Sequence, residues 1–312
     1  MRAVRSTGEG VEVVDVDAPE GPGDLLTMRT ASICGSDLGY IAMGSRFVLG
    51  HELAGVAEDG RRVAVEAAFG CMTCAQCRRG DYNLCARIAE TGLGLAVDGG
   101  MSQWFRAPAE RLVDLPPGLD VADASLVEPA SVAWHGLRSG EVGPETQVAV
   151  VGGGAIGLLA VAGARAMGAP EVALEARHDA QIAAGERLGA TTTDDGLYDV
   201  VVEAAGSPSA LARAVDLAAP GGCVVLIGVH TSGFAPPFLP LLLKEVRLVP
   251  AIAYGRHAHG HDMAEAAAML AADPEVAATL VTHRFPLEEA PRAFAAAADR
   301  AAGAIKVVID IQ

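Results

Sequence analysis

The sequence predicts an α/β protein in which a barrel-like β region precedes an open, doubly wound parallel sheet. Up to about residue 117, short apolar segments alternate with glycine-rich turns, a pattern typical of small barrels. From residue 147, short apolar runs alternate with helical segments, as in βαβ units. The change of pattern predicts two structural regions.

Each predicted element follows from its local pattern. The run QVAVV is the clearest case, because a short β-branched segment that meets a glycine is typical of a buried parallel strand. In the first region we expect strands over 10–16, 25–30, 48–56 and 62–65. In the second region we expect strands over 147–151, 171–175, 199–206, 221–228 and 245–253, helices over 155–167 and 180–188, and a final strand over 304–311.

The charge of the chain excludes some classes of partner. The 312 residues carry a formal net charge of −16, which argues against binding to nucleic acid or to an anionic membrane surface. The apolar runs are short and interrupted, so we expect no transmembrane helix, and the first residues lack the apolar stretch of a signal peptide. We therefore expect a cytoplasmic protein.

Four of the six cysteines lie close together, at Cys71, Cys74, Cys77 and Cys85. Four thiolates this close in sequence can surround one tetrahedral zinc ion, and the closed shell would make that zinc structural. A disulfide cluster is the alternative. It is disfavoured because no secretory signal is visible and a chain of this length can build a core without cross-links.

A glycine-rich turn predicts a dinucleotide site. Gly152, Gly154 and Gly157 form G-x-G-x-x-G between a predicted strand and a predicted helix, where backbone N–H groups can bind a pyrophosphate. The end of the next strand selects the cofactor: Glu175 would accept the ribose 2′-OH of NAD, whereas Arg177 and His178 suit the 2′-phosphate of NADP. The predicted nucleotide site also includes Ala155, Ile156, Gly206 and Gly228.

A second, incomplete ligand set is formed by Cys34 in ICGSD, His51 and Glu52 in LGHE, and Glu128 in VEPAS. A thiolate, an imidazole and a carboxylate can hold a zinc ion with one open position, which would bind an alcohol or carbonyl oxygen. Each residue also has a simpler interpretation, because Cys34 could be a small core residue and Glu128 could cap a turn.

These segments together resemble the zinc-dependent medium-chain dehydrogenase/reductase family, and within it the branch of sorbitol, threonine and other polyol dehydrogenases. The resemblance covers most of the chain from Ile33 to Ile311 and includes the four-cysteine segment. It is carried by CGSD at 34–37, GHE at 50–52, GGMSQWF at 99–105, EPASVAWHG at 128–136, GGGAIG at 152–157 and GAIKVVI at 303–309. It implies a GroES-like β-barrel catalytic domain (1–138 and 273–312, with a structural zinc lobe at 71–85) and a Rossmann domain (139–272).

The resemblance also implies roles for individual residues. Cys34, His51 and Glu128 would bind a catalytic zinc, with Glu52 beside the metal, and Ser36 would take the substrate proton. The implied reaction moves hydride between a secondary alcohol, polyol or aminocyclitol and NAD(P), in a homodimer or homotetramer. His51 follows Cys34 by only 17 positions, so we expect the wall of the substrate pocket to be shorter than in the family.

Two further departures from the family concern the proton and the cofactor. Gly39 stands where relatives often carry a relay histidine, so Ser36 and Tyr40 would pass the proton toward the ribose or water. Alignment back from LGA at 188–190 puts Ala176 at the cofactor-selecting position, which favours NADP.

Two alternative functions remain. A zinc-free quinone or enoyl reductase of the same superfamily is disfavoured by the joint presence of the Cys34, His51 and Glu128 donors. A non-enzymatic zinc-binding module is disfavoured by the acidic charge and by the nucleotide turn.

Overall fold

A computed structural model describes residues 1–68, 70–194, 196–230, 235–299 and 303–312. The chain forms two compact units, one from 1–128 with 254–312 and one from 129–253. The predicted domain ranges of 1–138 with 273–312 and 139–272 differ from these units, because residues 129–138 belong to the second unit and residues 254–272 to the first. Two contacts hold residues 254–272 in the first unit: the Ala67 N–H donates to the Tyr254 hydroxyl at 2.8 Å, and the Arg256 N–H donates to the Gly80 carbonyl at 2.9 Å.

The elements largely match the expected pattern. The strands are β1 (Arg2–Ser6), β2 (Val11–Asp15), β3 (Asp24–Ser32), β4 (Glu52–Ala57), β5 (Arg62–Val65), β6 (Trp104–Ala107), β7 (Leu112–Asp114), β8 (Gln147–Val151), β9 (Glu171–Glu175), β10 (Thr191–Thr192), β11 (Tyr198–Glu203), β12 (Ala218–Leu226), β13 (Arg247–Pro250), β14 (Arg256–His257), β15 (Gly260–His261), β16 (Val281–Pro286) and β17 (Lys306–Asp310). The α-helices are α1 (Gly35–Ala42), α2 (Ala75–Arg79), α3 (Val127–Ser139), α4 (Ala155–Ala166), α5 (Asp179–Arg187), α6 (Pro208–Leu217), α7 (Phe238–Lys244), α8 (Asp262–Ala272), α9 (Pro274–Leu280) and α10 (Ala290–Ala298). Short 3₁₀ helices cover Tyr82–Leu84, Ile88–Thr91, Ala109–Arg111, Ala124–Leu126 and Leu287–Glu289.

The first unit is built around a seven-stranded mixed sheet. Its strands follow the order β16-β17-β3-β4-β5-β7, and β6 pairs additionally with β3. Only β16 and β17 run parallel within this sheet, and the other pairs are antiparallel. Leu26, Met28, Leu53 and Ile309 are buried in its core. The last strand of the chain thus completes a sheet begun by early strands.

The second unit is an all-parallel six-stranded sheet in the order β10-β9-β8-β11-β12-β13. Counted within the unit, this is the order 3-2-1-4-5-6 of the Rossmann fold. Val148, Ala149 and Val150 of β8 have no solvent-exposed surface, as a strand covered on both faces requires. The predicted α/β class with a doubly wound parallel sheet is confirmed. Among the described residues, no helix has both the length and the apolar character needed to span a membrane.

Candidate functional site

The junction between β3 and α1 positions three polar residues of the first unit. Cys34 precedes the first turn of α1, its N–H donates to Asp37 Oδ2 at 2.9 Å, and the Asp37 N–H donates to the Cys34 carbonyl at 3.1 Å. These two bonds fix the turn that carries Cys34 and Ser36. Asp37 is completely buried, so its carboxylate belongs to the interior of the site.

A glycine sets the position of His51. Gly50 has φ +100°, and a Cβ at this position would lie 2.5 Å from Met101 Cγ and 2.9 Å from the Met101 nitrogen. Only glycine fits this turn. For this reason the predicted strand over 48–56 begins at Glu52 instead, and His51 stands at the entry to β4, where it is 8% exposed.

The structure brings together three of the predicted metal donors. One side-chain donor atom from each of Cys34, His51 and Glu52 lies within 4.8 Å of the other two. A thiolate, an imidazole and a carboxylate suit a zinc ion, and three protein ligands leave a position open. The donor chemistry and the spacing therefore fit a catalytic metal.

Both nitrogens of the His51 imidazole have close polar neighbours. Nδ1 lies 3.2 Å from Asp37 Oδ1, and Nε2 lies 3.2 Å from Ser36 Oγ. Burial alone lowers the pKa of His51, but the Asp37 carboxylate and the Cys34 thiol together raise it well above its usual value. A carboxylate at the second nitrogen is the usual partner of a metal-binding histidine. Sequence reasoning did not single out Asp37, although its place in CGSD was the available signal.

Glu52 is bound by a buried lysine. Lys306 Nζ lies 2.8 Å from both carboxylate oxygens of Glu52 and donates to the Ile33 carbonyl at 3.3 Å, and the Ser32 hydroxyl also donates to Glu52. Burial lowers the pKa of Lys306, but the charges of Glu52, Cys34 and Glu128 and the hydrogen bond to Glu52 together raise it above the usual value. Lys306 was part of the GAIKVVI segment, but sequence reasoning assigned it no role.

Glu128 lies outside the set formed by Cys34, His51 and Glu52. Burial raises the pKa of the Glu128 carboxyl to about 7; the charge of Glu52 adds to this rise, whereas His51 opposes it. The carboxyl also interacts with the Tyr254 hydroxyl, which lowers its pKa. The ligand role of Glu128 stays a prediction.

Tyr40 is the other residue predicted to assist the proton. Its ring centroid lies 5.9 Å from that of His51, with the two planes tilted by 51°. Tyr40 is half-buried, whereas Gly39, one residue earlier on α1, is exposed and contributes no side chain. In addition to the Asp37 carboxylate, α1 thus contributes the hydroxyl-bearing side chains of Ser36 and Tyr40 beside His51.

The four cysteines of the predicted structural site converge. One sulfur from each of Cys71, Cys74, Cys77 and Cys85 lies within 4.8 Å of the other three. The Sγ atoms of Cys74 and Cys77 are 3.4 Å apart, far longer than the ~2.05 Å bond of a disulfide and close to the ~3.8 Å between thiolates on tetrahedral zinc.

Backbone groups already point at these sulfurs. The Cys71 N–H donates to Cys85 Sγ at 3.3 Å, and the Cys77 N–H donates to Cys74 Sγ at 3.5 Å. Hydrogen bonds led by the Thr73 hydroxyl lower the pKa of Cys71 to about 5. All six cysteines of the chain are free thiols. The disulfide alternative therefore does not apply, and the four thiols suit one closed tetrahedral metal site.

In the second unit, the glycine-rich turn has the geometry of a phosphate-binding loop. The Gly152 N–H donates to the Glu175 carbonyl at 2.9 Å, which joins the turn to the end of β9. A Cβ at Gly157 would lie 1.8 Å from the Gly152 carbonyl oxygen, whereas a Cβ at Gly154 would meet nothing within 4 Å. Gly154 caps the N-terminus of α4, which Ala155 and Ile156 begin. Open space in front of a helix N-terminus fits a bound pyrophosphate.

The cofactor-selecting end of β9 carries an ion pair. The Glu175 carboxylate accepts from Arg213 Nε at 2.7 Å and from the Thr193 hydroxyl at 3.0 Å. Arg177 and His178 are both exposed, immediately before α5. Glu175 thus already has two protein donors, and its neighbour Arg213 could not be identified from a sequence position 38 residues away.

Gly206 and Gly228 lie in adjacent turns at the ends of β11 and β12. The buried Glu203 carboxylate accepts from the Gly206 N–H at 2.7 Å, and its backbone carbonyl accepts from the Gly228 N–H at 2.9 Å. His230 Nε2 lies 3.0 Å from the other oxygen of Glu203. Glu203, which sequence reasoning did not identify, therefore connects the two turns that were predicted to contact the cofactor.

Two family descriptions match the chain. Residues 21–117 match the alcohol dehydrogenase GroES-like domain, and residues 122–311 match the glucose dehydrogenase C-terminus. Together these matches include the four-cysteine segment, all three donors of the open metal set and the nucleotide turn.

Several characterised proteins are similar over most of the chain. L-idonate 5-dehydrogenase of Vitis vinifera is 30% identical, over 75% of this chain and 74% of that protein. Sorbitol dehydrogenase of Arabidopsis thaliana is 29% identical, over 93% of this chain and 89% of that protein.

Two solved structures of dehydrogenases are also similar to this chain. Alcohol dehydrogenase TADH from Thermus sp. ATN1 has a TM-score of 0.87 and 29% identity, with all of both chains covered. A dehydrogenase from Sinorhizobium meliloti 1021, described as zinc-binding and bound to NADP, has a TM-score of 0.88 and 28% identity, over 99% of this chain and 98% of that one.

Proposed function

Since the chain belongs to the polyol branch of the zinc-type medium-chain dehydrogenases and is an alcohol or polyol dehydrogenase, we propose that it transfers hydride between a secondary alcohol or polyol and NADP. The proposed site of this transfer is the set of donors formed by Cys34, His51 and Glu52. The convergence of these three donors within 4.8 Å is the observation that carries the proposal. It favours this reaction over that of a zinc-free reductase, because such an enzyme has no use for a thiolate, an imidazole and a carboxylate at one point.

Cys34 and His51 are the proposed protein ligands of a catalytic zinc, with a carboxylate as the third. Glu52 lies in the set but is held by Lys306, and Glu128 is the family's candidate for the same place. A zinc ion held there supplies Lewis acidity, which makes an alcohol easier to deprotonate or a carbonyl easier to reduce. Asp37 supports the role of His51, because its carboxylate orients the imidazole from Nδ1.

Ser36 is the proposed first acceptor of the substrate proton. Its Oγ lies 3.2 Å from His51 Nε2, so the hydroxyl is adjacent to the donor set, within reach of a group bound there. With glycine at position 39, Tyr40 carries the next hydroxyl group on α1 after Ser36, and we assign to it the transfer of the proton toward the cofactor ribose or water.

NADP is the proposed cofactor. The Glu175 carboxylate is paired with Arg213 and Thr193, which leaves it poorly suited to recognise the ribose 2′-OH of NAD. Arg177 and His178 are exposed beside it and suit the additional phosphate. The NADP bound to the similar Sinorhizobium meliloti dehydrogenase supports the same assignment.

The catalytic site can be tested with Cys34→Ser and His51→Ala. We expect both variants to lose turnover while their circular dichroism and NADPH binding are unchanged, because neither residue belongs to the Rossmann unit. Cys223→Ala is the matched control: this buried cysteine lies on β12, outside both donor sets, and should retain turnover. Full activity in either test variant would rule the site out. Zinc analysis of the same proteins separates this function from that of a zinc-free reductase.

The cofactor assignment can be tested with Arg177→Ala. We expect the KM for NADP to rise at least ten-fold while the KM for NAD changes little, because only NADP carries the phosphate. Arg187→Ala, an exposed arginine at the end of α5, is the control. Equal weakening of both cofactors would exclude phosphate recognition by Arg177.

We also propose that the chain forms a cytoplasmic homo-oligomer with one structural zinc ion in each cysteine cluster. Phe238, Leu239, Leu242 and Leu243 on α7 are 64–74% exposed, an unusual concentration of apolar side chains for an isolated subunit. Six free thiols and a net charge of −16 suit the cytoplasm. Light scattering on the purified protein would measure the mass, and a monomer at micromolar concentration would contradict the assembly.

A further inference from the structure

A histidine-rich segment, RHAHGHD at 256–262, contributes to a group of side chains that the dehydrogenase reaction does not use. It forms the hairpin β14–β15, in which Arg256 pairs with His261 and His257 pairs with Gly260. Helix α8 begins at Asp262, directly after the hairpin, so the side chains of residues 262 and 265 lie on the same face of its first turn.

Three of these side chains converge. A donor atom from each of His257, Asp262 and Glu265 lies within 4.8 Å of the other two. His257 Nε2 is 3.3 Å from Glu265 Oε1 and 3.9 Å from Asp262 Oδ1. For comparison, an imidazole nitrogen and a carboxylate oxygen on one tetrahedral zinc ion are about 3.3 Å apart, from bond lengths of about 2.0–2.1 Å.

The carboxylate of Asp262 is oriented by the backbone. Its Oδ2 accepts from the Gly255 N–H at 2.8 Å, so Oδ1 is the oxygen nearer to His257. Asp262 is completely buried and Glu265 is partly buried. Two carboxylates so close together, one of them out of contact with water, are stabilised by a positive charge between them. A divalent cation would supply that charge.

A glycine at position 260 makes this convergence of side chains possible. A Cβ at Gly260 would lie 1.9 Å from Glu265 Oε1 and 3.2 Å from His257 Cε1. The glycine therefore leaves open the space in which the carboxylate and the imidazole meet. Gly260 has no positive φ that would otherwise explain a glycine here.

We propose that His257, Asp262 and Glu265 form a metal site, separate from the open donor set and the cysteine cluster, that binds a divalent transition-metal ion. One imidazole and two carboxylates suit Zn²⁺ or Mn²⁺ better than a soft metal. The ion would fasten the hairpin to the start of α8. The hairpin in turn contacts the cysteine lobe, because the Arg256 N–H donates to the carbonyl of Gly80, the C-cap of α2.

Mn²⁺ is the probe, because cysteine sites bind it poorly and its free form is counted directly by electron paramagnetic resonance. Titration of enzyme that contains two zinc ions per chain, so that zinc does not already fill this third site, should give one bound Mn²⁺ per chain. His257→Ala and Glu265→Gln should each weaken this binding at least ten-fold, whereas His259→Ala, an exposed histidine of the same hairpin outside the donor group, should not.

Gly260→Ala is a fourth variant, which keeps all three ligands but fills the space between them, and it should also lose Mn²⁺. Circular dichroism without Mn²⁺ shows which variants fold, and Mn²⁺ should raise the melting temperature of the wild type but not of His257→Ala.

Three results would overturn the proposal: no bound Mn²⁺ in the wild type, equal binding in His257→Ala, or loss of binding in Cys34→Ser. The last result would assign the Mn²⁺ to the proposed catalytic site.

Discussion

Removal of one partner of the buried pair between Lys306 and Glu52 should be among the most destabilising single substitutions in the first unit. Lys306 is 4% exposed, Glu52 is completely buried, and Nζ lies 2.8 Å from each carboxylate oxygen. Replacement by Lys306→Met keeps most of the aliphatic volume but leaves Glu52 without its counter-ion. The perturbation therefore isolates the charge.

The expected loss is large because one partner of a buried pair remains. Removal of a single partner typically costs about 3–5 kcal/mol, since the other charge stays buried without compensation. Arg2 and Glu288 provide the matched comparison: their atoms are also 2.8 Å apart, but their side chains are 41% and 53% exposed. Arg2→Met should therefore cost less than about 1 kcal/mol.

Urea unfolding of the wild type, Lys306→Met, Glu52→Gln and the double variant would measure the free energy of unfolding and the coupling between the two residues. We expect the two losses to be strongly non-additive, because the second substitution removes the charge that the first left exposed to the protein interior. The reasoning is refuted if Lys306→Met costs no more than Arg2→Met, or if the two single losses add within about 0.5 kcal/mol.

Three further substitutions test contacts at the other sites described above. Asp37→Asn should weaken zinc retention about 10–100-fold in a chelator competition, because His51 loses its orienting carboxylate, and unchanged retention would contradict that role. Cys77→Ser should lower the melting temperature and have a smaller effect on the activity per folded molecule. The opposite pattern would assign the cluster to catalysis. Gly157→Ala should cost at least about 1–3 kcal/mol and abolish the binding of NADPH measured by fluorescence. Gly154→Ala meets no clash and should cost less than about 1 kcal/mol through the weaker N-cap, so equal melting temperatures of the two variants would disprove the clash at Gly157.

Sequence patterns predicted the parallel sheet well because local signals agree there. The strand over 147–151, the glycine turn and the helix after it each have a distinct local pattern, and the observed β8 and α4 match them closely. The strand predicted over 245–253 was too long, because Glu245 has φ +52° and Pro250 ends the pairing. That shortening depends on backbone conformation and not on hydrophobic pattern.

The site was predictable only where its residues belong to motifs. Cys34, Asp37 and His51 lie in short segments with recognisable spacing, whereas the basic partners of Glu52 and Glu175 come from distant parts of the chain. Lys306 contacts Glu52 across 254 residues, and Arg213 contacts Glu175 across 38. No pattern of charge or hydrophobicity in a single sequence encodes such pairs, since any of several basic residues could occupy the place.

The position of β17 has a consequence for the order of folding. This strand lies between β16 and β3, yet it is synthesised after the entire Rossmann unit. Until it arrives, the end of β3 at Thr30–Ser32 is unpaired on one edge and Glu52 has no lysine, so the nascent chain holds an incomplete sheet and an uncompensated carboxylate through most of translation. The parallel sheet, continuous in sequence, can form first, and the lysine that holds Glu52 in the donor set is added last.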